Sequence, residues 1–299
     1  LEAVTAIPLI GLTNNHYKKW RIVRSRRYLV KIPDDDTSDL TLLRIKAMHD
    51  LPLDADAMEW AARCELAALY RLIAHFRMTD LIDTHISLRL EDGSGHFLIN
   101  RYGVLFEHMT ASDLVKINSE GQVVDTLFPD HRVNRAGFVI HSAIHAARPD
   151  LHCVIHTHTA AGMAVSAQAD GLRPISQHAL KFYNRLAYHD YEGIALDTAE
   201  RERLVADLGT HSAMILRNHG LLAAGSSVAD AFQNIYFLER ACQAQIQALA
   251  GSGKLLQPAP HVCEHTARQF EQDDAQGIVQ LAWDAALTLI ADQQADYSA

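Results

Sequence analysis

The stretch from residue 134 to 168 constrains the fold more than any other part of the chain. It reads NRAGFVIHSAIHAARPDLHCVIHTHTAAGMAVSAQ. Residues 134–150 have helical spacing and stop at Pro149, which has no amide to donate and biases its predecessor away from helical backbone. Residues 152–158 are β-branched and alternating, the signature of a strand. Residues 159–168 are small and helix-compatible. Helix, strand and helix in direct succession require a sheet packed against helices, so the class is α/β or α+β.

The remaining segments agree. Trp60, Cys64, Ala67, Ala68 and Leu72 recur at helical spacing in AMEWAARCELAALYRLIAHF. HFLINRYG (96–103) reads as a strand running into a turn, and GIALD (193–197) as a short strand. TAERERLVADLG (198–209) reads as a helix with Thr198 as N-cap and Gly209 just past its end. AMILRNHGLLAAG (213–225) suggests two strands around a turn, and residues 227–250 a long amphipathic helix. A linker, GSGKLLQPAP (251–260), leads to a last helical stretch at 267–292. Strand order is not contained in periodicity.

The expected organisation is therefore a basic extension over 1–50, a main domain over 51–250, and a linker with a C-terminal helix packed on that domain over 251–299. The extension carries Lys18, Lys19, Arg21, Arg24, Arg26, Arg27 and Lys31 against Glu2 before residue 33. The whole chain has a net charge of −9, which argues against general nucleic-acid binding, where clustered cations are needed. No run approaches a membrane-spanning length, and the start lacks a basic region before an apolar core, so neither a membrane span nor a signal peptide is expected. Cys64, Cys153, Cys242 and Cys263 form no C-x-x-C pair, which fits reduced thiols in a cytoplasmic protein.

VIHTH at the end of the 152–158 strand raises a chemical question. Side chains two apart in a strand share a face, so His156 and His158 project together. Two imidazoles on one face suit a divalent transition metal, and catalytic sites commonly use three protein ligands with one open position. The third candidate is His219 in LRNHGL, which follows another apolar strand and precedes a glycine. The chain has 18 histidines, so H-x-H arises readily by chance and spacing alone leaves metal binding undecided.

RPDLHCVIHTHTAAGMAVSA followed by AMILRNHGLLAAG resembles the class II aldolase and adducin family, over about residues 57–250. AGFVIHSAIHAARPD, AYHDYEGI and ILRNHGL resemble the adducin head and its bacterial relatives in particular. The resemblance implies a three-layer α/β/α fold with a largely antiparallel central sheet, commonly a homotetramer. It implies zinc, or another divalent metal, held by His156, His158 and His219. It also implies chemistry on a small-molecule substrate, in which the metal stabilises an enolate.

The pattern departs from the family aldolases at three places. Their acid/base carboxylate falls at Gly137, which can carry no proton. Their small hydroxyl-bearing phosphate positions become Arg135 and Ala136. The Asn of their Gly-Asn turn becomes His85. His141 lies one helical turn after Gly137, where it can serve as a fourth ligand or base, or simply as a helix histidine bonded to backbone. His178 falls close to the place of an active-site tyrosine in the family. His85 and Arg135 are candidates for contacts with substrate, Arg135 through a carboxylate or phosphate. Two functions remain open. One is a metal-dependent, aldolase-like lyase acting on a small hydroxy-carbonyl or hydroxy-acid compound. The other is a non-catalytic, adducin-like oligomerisation and protein-binding module that keeps a remnant metal site.

Overall fold

The computed structural model describes residues 6–8, 20–24, 28–33, 55–193, 199–273 and 275–299. Near the start, β1 (Ala6–Pro8), β2 (Trp20–Arg24) and β3 (Tyr28–Pro33) form an antiparallel sheet in the order β1-β3-β2. Part of the basic run falls on β2 and β3. The rest of that run, the core of the expected 193–197 strand and Thr198 lie outside the described residues.

The main sheet has seven strands: β4 (His85–Arg89), β5 (Phe97–Asn100), β6 (Leu114–Ile117), β7 (Cys153–Thr157), β8 (Ala187–His189), β9 (Ala213–Leu216) and β10 (Gly220–Gly225). Their order is β6-β5-β4-β7-β10-β9-β8. Every neighbouring pair is antiparallel except β8 with β9. The strands at the centre are buried on both sides because helices cover both faces.

On one face, Ile86, Cys153, Ile155, Leu221 and Ala223 pack with α1 (Ala55–His75), α6 (Val228–Ala250) and α8 (Ile278–Leu287). On the other, Val154, Met214, Leu216, Leu222 and Ala224 meet α2 (Arg135–Ala147) and α5 (Glu200–Leu208). This is the three-layer α/β/α arrangement. Two short helices, α3 (Ala160–Ser166) and α4 (Gln177–Lys181), join β7 to β8.

The local chemistry of the boundaries is plain. Before Pro149, α2 ends, and the Arg148 guanidinium turns back to Asp150 and to the carbonyls of Gly209 and His211. The Arg-Pro-Asp sequence thus ties the end of α2 to the turn between α5 and β9. At the start of α5 the flanking residue is Ala199, with no side-chain cap, and Gly209 closes the helix at φ 53°. At the start of α6, the Ser227 hydroxyl accepts from the Asp230 amide. Replacing Ser227 with alanine is expected to cost about 1 kcal/mol, visible as a lower denaturant midpoint.

The C-terminal region corrects the expectation of one helix over 267–292. Two helices are present, α7 (Pro260–Phe270) and α8, followed by a 3-10 turn (Thr288–Gln293) and α9 (Gln294–Tyr297). Gly277, at φ 72°, adopts the left-handed conformation that separates α7 from α8. Pro260, at the end of the expected linker, instead opens α7, where its missing amide costs nothing. Trp283 of α8 then packs edge-on against Phe232 of α6. Phe232 and Leu238 are core residues of α6, with Tyr236 and Phe237 partly buried beside them.

Candidate metal centre

The site lies on the α2 face of the sheet, where β7 ends and β10 begins. Antiparallel pairing sets Leu222 opposite His156 and brings the His219 turn beside His158. The strand itself stops at Thr157, so His158 stands one residue beyond it. Thr159 then caps α3 through the Gly162 amide, which bends the chain away and leaves the two rings together. On the other flank, His85 of β4 is the register partner of His156.

The three Nε2 atoms converge. His156 to His158 is 2.7 Å, His158 to His219 is 2.9 Å and His156 to His219 is 3.2 Å. A tetrahedral ion with nitrogen ligands at ~2.0–2.1 Å holds them about 3.3 Å apart, so the triangle is slightly tighter than a filled site. His156 is buried, and the other two are partly exposed.

Hydrogen bonding shows what these nitrogens offer. His156 Nδ1 lies 2.9 Å from the Leu221 carbonyl, which only accepts, so Nδ1 carries the proton. His158 Nδ1 lies 3.0 Å from the Asp80 carboxylate, with the same consequence. In neutral rings both Nε2 atoms are then bare lone pairs facing each other. Charging His156 or His219 is no remedy. Burial, then His219, His85 and His158, keeps the His156 pKa well below the ordinary imidazole value. Burial, then His158 and His189, pushes His219 down to about 4. Three converging ring nitrogens, with His156 and His219 held against protonation, are the donor set a divalent cation requires, with backbone and carboxylate partners behind His156 and His158.

Behind this triangle sits a second, buried group. His85 Nδ1 is 2.9 Å from His141 Nε2, and Ser87 Oγ lies 2.5 Å from His141 Nδ1 and 2.7 Å from His145 Nε2. The His85 ring lies over His156, with centroids 5.1 Å apart. His85 is the first residue of β4, which corrects its reading as a turn residue. HISLRL alternates, so His85 and Ser87 face α2 while Ile86 and Leu88 face α1. Tyr70 of α1 fixes that strand: its hydroxyl donates to the Ile86 carbonyl and accepts from the amides of Ile86 and Asn100.

Gly137 is buried against the same ring. A Cβ placed there would lie 2.5 Å from His85 Cδ2 and 2.9 Å from His85 Nε2. Glycine at 137 and histidine at 85 are therefore one packing solution: the imidazole occupies the space where a side chain at 137 would begin.

The other candidates fall elsewhere. His141 is one ring removed from the triangle, behind His85. Arg135 is exposed at the first residue of α2. His178 packs against Phe237 of α6, with centroids 4.9 Å apart, and is not brought to the triangle. Beside His219, a small polar recess is lined by His189, Tyr191, Glu200 and Arg217.

The model of the "Class II Aldolase and Adducin N-terminal domain" matches residues 64–246. The chain belongs to the class II aldolase and adducin family. Among solved structures of that fold, an aldolase II superfamily protein from Pseudomonas syringae is 51% identical, with a TM-score of 0.76 over 81% of this chain and 96% of that one. L-fuculose 1-phosphate aldolase from Glaciozyma antarctica is 28% identical, with a TM-score of 0.72 over 85% of this chain and 98% of that one. Rat alpha-adducin is 48% identical over 199 residues, which are 66% of this chain but only 27% of the adducin. The class II aldolase and adducin fold thus accounts for the sheet and the two helical layers.

Proposed function

We propose that this chain is a metal-dependent, aldolase-like lyase acting on a small hydroxy-carbonyl or hydroxy-acid compound. The observation that carries the reading is the converging Nε2 triangle of His156, His158 and His219. These three residues would hold a divalent cation, with zinc first because imidazole nitrogens suit it. When bound, the cation supplies a Lewis acid where negative charge develops on a substrate oxygen. The chain's own residues do the rest. Leu221 and Asp80 orient the ligand rings, His85 presents an imidazole edge beside Gly137, and the recess with Arg217 and Tyr191 offers polar contacts to substrate. Similarity to L-fuculose 1-phosphate aldolase supports carbon–carbon cleavage as the reaction to try first. On this reading residues 51–250 form the catalytic domain, the C-terminal helices belong to it, and the protein works as a cytoplasmic homotetramer. No helix among the described residues is long and apolar enough to cross a membrane.

A second reading has specific support. The identity to alpha-adducin, together with glycine at 137 in place of a proton-carrying side chain, favours an oligomerisation and protein-binding module that keeps a remnant metal site. Elemental analysis of protein purified without chelator separates the two, alongside His158→Ala. The enzyme reading expects near-stoichiometric first-row metal, lost in the variant, and turnover of a ketose phosphate or hydroxy acid. Metal-free protein that cannot be loaded with zinc or manganese defeats it. Metal without turnover on such a panel favours the module.

A further inference from the structure

Away from the triangle, a recess of about 400 Å³ opens at the far end of α2. Its place follows from the elements that line it. His85 begins β4 and Arg89 ends it, four strand residues or ~13 Å further on. Gly137 lies in the first turn of α2, whereas His145 and Ala146 lie in its last turn, ~12 Å along the axis. The recess is therefore separate from the metal centre. Its volume is that of a small-molecule site rather than of a trapped water. Phe97, Ala146 and Pro149 give it an apolar wall, and the His145 ring lies tilted on Phe97 with centroids 4.8 Å apart.

The polar groups around the recess divide into two sets. The first satisfies itself. Ser94 donates to the Asp92 carboxylate at 2.5 Å, the Asn118 amide group donates to Gln122 at 2.9 Å, and Ser119 donates to Glu120 at 2.6 Å. The second set does not. The Arg89 guanidinium makes one hydrogen bond, from Nη2 to the His145 carbonyl, and no ion pair among the described residues. Its Nε is buried without a partner, and so is Nδ1 of His145, a residue only 3% exposed. The buried Ser142 hydroxyl has the Val139 carbonyl at 3.4 Å, beyond the ordinary range for such a bond. The His96 ring makes no side-chain hydrogen bond among the described residues. A guanidinium keeps its charge, and covering it without a counter-ion is unfavourable. Burial accordingly lowers the Arg89 pKa, with no carboxylate opposing it.

We infer that this recess is a second binding site, for a small organic anion whose carboxylate or phosphate pairs with Arg89 while its carbon frame rests on Phe97 and Pro149. The guanidinium fork matches either group in two-point geometry. His96 and Ser142 supply further donors on the same wall. The exposed Glu120 is engaged by Ser119 and leaves the Arg89 charge unmatched.

Calorimetric titration of the full chain with citrate and with glycerol 3-phosphate tests this and separates the two head groups. The protein is freed of metal first, so that neither anion reports on the triangle. Saturable, one-to-one binding of at least one probe is expected, weakened about tenfold or more in Arg89→Met. Arg89 also holds the end of α2, so a second variant spares it. Ala146 is exposed on the recess wall, and Ala146→Glu sets a carboxylate against the incoming anion. That variant is expected to lose binding, while the uncharged Ala146→Gln retains it. His158→Ala is expected to bind as the wild type does. Failure of both probes to bind the wild type overturns the inference. So does equal binding in the wild type and Ala146→Glu, or binding that disappears in His158→Ala.

Discussion

Replacing Arg63 with methionine is expected to lower the unfolding free energy by roughly 3 kcal/mol, the lower end of the range for breaking a buried ion pair. Arg63 and Asp125 are both fully buried, with Nη2 2.5 Å from Oδ2. Arg63 also donates to the Leu114 carbonyl at 2.7 Å and to Glu59 at 2.9 Å. It thereby joins α1 to β6 and to the loop after it. Methionine fills much of the volume but leaves the carboxylate in place without its cation. The loss sits at the lower end because Asp125 keeps bonds from the amides of Lys116, Leu127 and Phe128. A fall in melting temperature of roughly 6–12 °C corresponds to that energy.

The pH dependence has a definite sign. Burial alone would raise the Asp125 pKa, but the Arg63 hydrogen bond, the Lys116 amide and the Arg63 charge hold it below the ordinary carboxylate value. A depressed carboxylate adds stability above its unfolded pKa, about 3.9, and that contribution is lost as pH falls through the folded value. The gap between wild type and Arg63→Met should therefore narrow below about pH 4. Equal midpoints at pH 7 would remove the ion pair from the account of this fold.

On the proposed metal reading, Asp80→Ala is expected to weaken binding of added zinc by about 10–100-fold while leaving the fold intact. Asp80 is 46% exposed, and its bond to His158 Nδ1 keeps that ring turned with Nε2 toward the other two. Without the carboxylate, the His158 ring is free to rotate or to move its proton to Nε2, and either change removes a donor. Asp80→Asn still accepts through its amide oxygen and should lose less. Competition with a chelating dye measures both variants. Equal affinity in wild type and Asp80→Ala would mean that the carboxylate does not orient the ligand.

Sequence periodicity captured the elements that carry the triangle. The 134–150 helix, the 152–158 strand, the two strands around His219 and the long 227–250 helix all occur within a residue or a few of their expected bounds. The reason is physical: each is a long or strongly patterned apolar run with a clear stop, such as Pro149 or the Ser227 cap. Strand order was silent because it depends on contacts between distant segments. Asp80 was missed for the same reason, since nothing in RMTDLID marks one acid as the partner of a histidine in another element. His85 and Ser87 had a signal, the alternation in HISLRL, but the run is short and a family turn was expected there. His178 was placed by analogy of position, and in the structure it belongs to the opposite helical layer.

The spacing of the three ring nitrogens along the chain has a consequence for how the protein matures. His156 and His158 are neighbours on one segment, whereas His219 lies 63 and 61 residues further on. On the proposed metal reading, a growing polypeptide would expose a two-point chelator well before the third point is synthesised, and the third would arrive only once β10 pairs with β7. Early capture of a cation would be weak and exchangeable, and retention would follow strand pairing. Loop closure of that length slows the pairing, and an ion that prefers the closed triangle would stabilise it against reopening. Retention would then act as a checkpoint on assembly, holding ions in chains whose central strands have found their register.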